Sequence, residues 1–206
     1  QKHACNREIP YAQARVLGGG GSINAEVFTR GCPEDYDAWA TEHGCDGWSF
    51  AEVLPYFLRS EDNDTLSGPY HGQGGPLGVS NLSPPHPLTR AFVKSCQDIG
   101  MPYNPDFNGP RQEGAAPYQT TIRNARRCSA AVGYLRPALS RPNLTLRTGA
   151  QISRILVENQ RAIGIELVVN GRAEVIRAER EVLLTAGAIN SPKLMMLSGI
   201  GPADHL

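Results

Sequence analysis

The sequence predicts a mixed α/β (α+β) chain, and three observations carry that expectation. Apolar residues recur at helical spacing in the first half, as in Phe50, Val53, Leu54, Phe57 and Leu58. β-rich runs crowd the final third, with Asn170-Gly171 between two of them as a hairpin turn. Near the end a strand-like run passes through small residues into a helix start. Such junctions bring backbone amides and a helix dipole to a phosphate or nucleotide in α/β proteins, and they also serve plain packing.

Taken in order, the first organised feature is Ala14-Arg15-Val16-Leu17 followed by Gly18-Gly19-Gly20-Gly21-Ser22 and Ile23-Asn24. Four consecutive glycines forbid a packed side chain and let backbone approach a neighbour closely. Residues 34–43 predict a short helix with Tyr36, Trp39 and Ala40 inward, stopped by Gly44. A second helix follows, opened by a Ser49/Glu52 capping box, with Pro55 inside it expected to bend or loosen it. Trp39, Trp48, Tyr56 and Phe57 read as core.

From 63 to 87 the glycines and prolines are too dense for regular structure, so the stretch reads as a linker or functional loop. Residues 89–99 predict a helix with Phe92, Val93, Cys96 and Ile99 as its apolar stripe and Gly100 as its stop. A strand is expected at 118–122 and a helix near 130–139. Strands are then expected at 144–148, 152–158, 162–169, 173–177 and 181–185, before the helix that Ser191-Pro192 opens and Ser198-Gly199 ends.

Composition narrows the function classes. Twenty Lys+Arg balance twenty Asp+Glu over 206 residues, so no charge excess points to nucleic acid or an acidic membrane surface. Hydrophobic residues at 40% suffice for a core, while no apolar run approaches the ~20 residues of a spanning helix. Five scattered cysteines without a Cys-x-x-Cys pair argue for reduced, mostly packed thiols. The five histidines show no ligand spacing, so no metal site is expected.

Two long motifs then make the pattern specific. Residues 14–24, with Phe28, Gly31 and Asp37 at their offsets, resemble the first signature of the glucose–methanol–choline (GMC) flavoprotein oxidoreductases. Gly187-Ala188-Ile189-Asn190-Ser191-Pro192 through Gly199-Ile200-Gly201 resembles the second, in the right order about 150 residues later. Pro33-Glu34-Asp35-Tyr36-Asp37, Gly47-Trp48-Ser49 and Tyr134-Leu135-Arg136-Pro137-Ala138 resemble bacterial alcohol and choline dehydrogenase-like members, so the likeness covers essentially the whole chain.

The resemblance implies a partial FAD-binding Rossmann-like domain plus part of an antiparallel-sheet substrate domain. Residues 1–62 and 144–206 would belong to the cofactor domain and 63–143 to the substrate domain. It implies oxidation of an alcohol by hydride transfer to flavin N5, with the electron acceptor (oxygen, a quinone or a dye) and the location (cytoplasm or membrane periphery) left open. The cofactor contacts would be Arg15, Leu17, Gly18, Gly19, Gly20, Gly21, Ser22, Asn24 and Ala25. Asn24 would offer its amide, donor and acceptor both, to the isoalloxazine edge. Ile152 would meet adenine through its main chain, and Ala186 and Gly187 would pass the ribose and phosphates.

The sequence also departs from the family pattern. Ile23 stands where members with covalent FAD carry a histidine, which implies noncovalent FAD. Glu26 stands where many members carry an apolar residue. No start among Gly18, Gly19, Gly72 and Gly74 completes a Gly-x-Gly-x-x-Gly fingerprint, and the family's C-terminal His–His or His–Asn pair would lie beyond Leu206. The expectation is an internal portion of a larger enzyme, with no catalytic residue of its own, inactive and a poor FAD binder alone. Two rival readings fit the same motifs: a flavin-containing hydroxynitrile lyase, and a noncatalytic binding protein on a degenerate GMC scaffold.

Overall fold

The computed structural model describes residues 4–206, which form two compact units, one up to Leu144 and one from Thr145 to Leu206. The first unit opens with a 3-10 turn at Gly19–Ser22, entered through Gly18 at φ 89°. Helix α1, Pro33–Thr41, begins where Pro33 suits the first helical position and where Asp35 accepts a hydrogen bond from the Cys32 amide at 3.1 Å. Helix α2, Phe50–Ser60, is entered through the expected capping box, with the Ser49 amide donating to Glu52 at 3.0 Å. It runs through the exposed Pro55 without a break in its span. The Phe50 amide donates to Asp37 at 2.9 Å and ties the second helix to the first.

Strands β1 (Glu61–Asn63), β2 (Leu77–Asn81) and β3 (Gln119–Thr120) make a small mixed sheet, β1 parallel and β3 antiparallel to β2. Helix α3, Pro87–Asp98, lies between β2 and β3 in sequence. Strands β4 (Ile122–Arg123) and β5 (Arg126–Arg127) form a hairpin whose turn residues Asn124 and Ala125 both have φ above 50°. A π-helical turn, Ala131–Leu135, continues into α4, Arg136–Ala138.

The second unit is an antiparallel meander of β6 (Gln151–Glu158), β7 (Arg161–Val169) and β8 (Arg172–Arg177), with α5 (Asn190–Leu197) against β6. Both connections are two-residue turns with positive φ: Asn159-Gln160, and the expected Asn170-Gly171. Ile155 and Leu167 are buried at the centre.

Several expectations are corrected. Residues 144–148 and 181–185 form no strand; Leu183 is 78% exposed. β-propensity makes a strand only where a neighbouring strand offers its edge, and neither run has a ladder partner among the described residues. The breaker-rich segment contains β2, whose Leu77 and Val79 alternate around Gly78 and place Val79 in the core. The strand expected at 118–122 is two short strands, split at Thr121, whose amide leaves the ladder for the Glu26 carbonyl.

In α3, Val93 and Cys96 are buried while Phe92 and Ile99 are exposed, so the apolar stripe is half as wide as its spacing implied. Trp39, Trp48 and Tyr56 are exposed rather than core. Trp39 and Trp48 join Tyr36 and Phe57 in a cluster of edge-on and tilted rings, Tyr36–Trp39 at 5.3 Å and Tyr36–Phe57 at 5.7 Å, while the Tyr56 ring lies against the Arg59 guanidinium. Cys96 and Cys128 are packed thiols, but Cys5 and Cys45 are exposed.

Candidate functional site

In the first unit, the glycine loop is shaped by what lies beneath it. A Cβ at Gly18 would stand 2.5 Å from Ser22 Oγ and 3.1 Å from the Ala131 Cβ and amide nitrogen. Gly18 is therefore required by φ and by packing inside the protein. Gly19 and Gly20 differ: apart from the adjacent chain, no heavy atom lies within 4 Å of where their Cβ would be, so no side chain covers this exposed surface, although Gly19 also holds a positive φ of 54°. Ser22 turns its hydroxyl inward, donating to the Leu17 carbonyl at 2.8 Å. Gly21 rests over Ser129 and Ala130. Arg15, Leu17 and Ala25 are exposed.

Asn24 is exposed, and its side chain is oriented by donors. Its Oδ1 accepts from Arg127 Nη1 at 2.9 Å and from the Glu26 amide at 3.1 Å. Both partners are obligate donors, so the oxygen must face them and its two lone pairs are used. Only the NH2 remains to offer, which corrects the expectation of an amide that both donates and accepts.

Glu26 holds φ 64°, a left-handed conformation that costs a non-glycine residue about 1–2 kcal/mol. Three contacts hold it there. Its amide donates to Asn24, its carbonyl accepts from the Thr121 amide at 2.8 Å, and its carboxylate pairs with Arg127 at 2.9 Å. The acidic side chain that departs from the family pattern thus faces a cation.

Beyond the loop, the chain passes Phe28, whose amide donates to the Gln119 carbonyl at 2.9 Å, into a buried polar network. The Arg30 guanidinium pairs with Glu61 and donates to the Tyr70 carbonyl at 2.8 Å. Burial pushes the Arg30 guanidinium below its ordinary pKa, and the Glu61 and Asp106 carboxylates oppose that shift. The His71 ring stands between Glu61, 3.0 Å from Nδ1, and Asp106, 2.9 Å from Nε2. Asn63 and Gln119 close the network with amide hydrogen bonds at 2.8 and 3.1 Å. Spacing along the chain gave no sign of Arg127 or of this network; His71 read as one of five scattered histidines.

In the second unit, the structure brings Ile152 and Ala186 to one open groove of about 710 Å³, with β6 and α5 among its walls. That volume falls in the range of small-molecule sites. Ser198 joins the two elements: its hydroxyl accepts from the Ile155 amide at 2.8 Å and donates to the Leu194 carbonyl at 2.6 Å. The Ala186 amide donates to Ser191 Oγ at 3.1 Å, and Gly187 turns the chain at φ 93°. Taken by itself, the side-chain-free surface of Gly19 and Gly20 beside a free amide donor would suit a flat ring such as that of a flavin; the groove of the second unit, taken by itself, has room for a small planar base.

No helix is long and apolar enough to cross a membrane among the described residues. The chain matches the GMC oxidoreductase family over residues 2–206. It is 44% identical over 206 residues to a protein named oxygen-dependent choline dehydrogenase from Brucella anthropi, covering 100% of this chain and 37% of that relative. Among solved structures it resembles pyridoxine 4-oxidase from Mesorbium loti, with TM-score 0.87 and 35% identity over 94% of this chain and 38% of that one. It also resembles an FAD-dependent oxidoreductase from Chaetomium thermophilum, with TM-score 0.90 and 30% identity over 97% of this chain and 37% of the other. The chain thus spans 37% of the length of a curated relative that matches it from end to end. A family match across residues 2–206, agreeing with both motifs and with the two solved folds, makes this chain a member of the GMC oxidoreductase family.

Proposed function

We propose that the protein carrying this chain is an FAD-dependent oxidoreductase that oxidises an alcohol carbon. The observation that carries the reading is the bare peptide surface of Gly19 and Gly20 beside an Asn24 amide whose carbonyl is already engaged. When bound, FAD supplies the hydride acceptor. This chain's residues bind and orient it. Gly19 and Gly20 give a flat surface without side chains, and Asn24 directs its NH2 at a ring edge. The Ile152 main chain would meet adenine, while Ala186 and Gly187 would pass the ribose and phosphates. On this assignment 1–62 and 144–206 serve the cofactor and 63–143 faces the substrate.

Ile23 has no nucleophilic atom, which supports noncovalent attachment. The names of the relatives support an alcohol substrate, with choline first to be tested and a pyridoxine-type alcohol second. Oxygen, a quinone or a dye would take the electrons.

The test uses the full-length protein. Purified enzyme should show flavin absorbance, release its flavin on acid precipitation, and be bleached anaerobically by an alcohol of this panel. Flavin that stays on the acid-precipitated protein would overturn the noncovalent assignment. Bound flavin that no alcohol bleaches would favour the lyase or noncatalytic reading instead.

A further inference from the structure

Arg127, at the end of β5, reaches back 103 residues to the glycine loop. Its Nη1 donates to the Asn24 carbonyl at 2.8 Å and to Asn24 Oδ1 at 2.9 Å, with the Gly21 carbonyl at 3.3 Å. Its Nη2 faces the Glu26 carboxylate at 2.9 Å, a pair that is mostly sheltered, with side-chain exposures of 32% and 16%. One guanidinium therefore holds the end of the glycine turn, the orientation of the Asn24 amide and a strained acidic neighbour. Among the described residues the Asn24 NH2 has no hydrogen-bond partner.

We propose that Arg127 is a positioning residue for the cofactor: it locks Asn24 as a pure donor, and Glu26 sets how much of Arg127's positive charge reaches a ring resting on the loop. The inference rests on the reading that FAD occupies this loop. Flavin gains negative charge on reduction, so a nearby cation favours the reduced form and a nearby anion opposes it. With both partners present the fields largely cancel. Removing one exposes the other, and the two removals must act in opposite directions. A contact that served folding alone would not produce that sign change. Lysine at 127 keeps the charge but lacks the planar fork that reaches a carbonyl, an amide oxygen and a carboxylate together.

The experiment uses full-length holoenzyme and the variants Glu26→Gln, Arg127→Met and Arg127→Lys. Arg177→Ala, which breaks the exposed pair with Glu158, serves as a control. The readouts are the flavin reduction potential by dye equilibration, FAD affinity by flavin fluorescence, and thermal melting. The potential is expected to rise in Glu26→Gln and fall in Arg127→Met. Arg127→Lys should keep a near-native potential but bind FAD about tenfold more weakly, about 1.4 kcal/mol. The control should change neither. Shifts of the same sign, or none, in flavin-loaded Glu26→Gln and Arg127→Met overturn the proposal while leaving the FAD reading intact. If Arg127→Met does not fold, Glu26→Gln decides: a raised potential supports the proposal and an unchanged or lowered one overturns it. Wild-type protein that neither contains nor takes up FAD overturns both.

Discussion

Arg30 and Glu61 pair in the interior of the first unit, with side-chain exposures of only 4% and 1%. The His71 ring extends the pair, standing between the Glu61 and Asp106 carboxylates. Breaking a buried pair by removing one partner leaves an uncompensated charge, at a cost of about 3–5 kcal/mol. Arg30→Met and Glu61→Gln should each lose that much in urea unfolding. The double variant Arg30→Met/Glu61→Gln should lose less than the sum of its singles. Strict additivity would show that the two groups do not stabilise the fold as a pair.

The glycine loop separates packing from ligand approach. Gly18→Ala meets a left-handed φ, worth about 1–2 kcal/mol, and the contacts with Ser22 and Ala131 in addition. It should melt well below wild type. Gly20→Ala meets no neighbour within 4 Å and no positive φ, so stability should stay within about 0.5 kcal/mol. FAD affinity should nevertheless fall at least about tenfold, because the new methyl stands on the face assigned to the cofactor. Unchanged affinity in Gly20→Ala would remove that face from the site.

Ser198 couples α5 to the edge of β6. Ser198→Ala leaves the Ile155 amide without its acceptor, which should cost about 1–2 kcal/mol. Hydrogen exchange should accelerate at Ile155 and along α5, with β7 and β8 changed less. Uniform acceleration across the meander would show instead that the unit opens as a whole.

Acid should weaken the meander through Glu166. The Ser153 hydroxyl and then the Arg154 guanidinium hold its carboxyl below the ordinary 4.5. A depressed folded-state pKa contributes stability that is present above the unfolded value and is lost as pH falls through the folded one. Exchange protection in β6 and β7 should therefore decline below about pH 4.5 in wild type and decline less in Glu166→Gln. Equal acid sensitivity of the two would sink this assignment.

Much of this was legible because its causes are local. The Ser49/Glu52 box and the Asn170-Gly171 turn are decided by residues within four positions of each other, and both stand where expected. The two motifs were legible for another reason: each is a long string of jointly constrained positions. Arg127 and Glu61 were not, because their partners lie 103 and 31 residues away and no periodicity marks such pairs. Residues 181–185 failed in the opposite sense. Their composition is that of a strand, but pairing depends on a neighbour that local sequence does not describe. Trp39 and Trp48 read as core by size and hydrophobicity, yet ring-on-ring contact leaves their outer faces open.

Gly18 and Ala131 share one small space, and that space sets an order on how the two positions can drift through evolution. Shrinking 131 to glycine would relieve the Cβ contact facing a residue at 18, but the amide nitrogen at 3.1 Å and the φ of 89° would persist. Enlarging 131 would press toward the backbone of 18. Across descendants of this sequence, position 131 should therefore vary only among small residues, and only while 18 stays glycine. Covariation between the two should be one-sided, with 131 following 18 and never rescuing it.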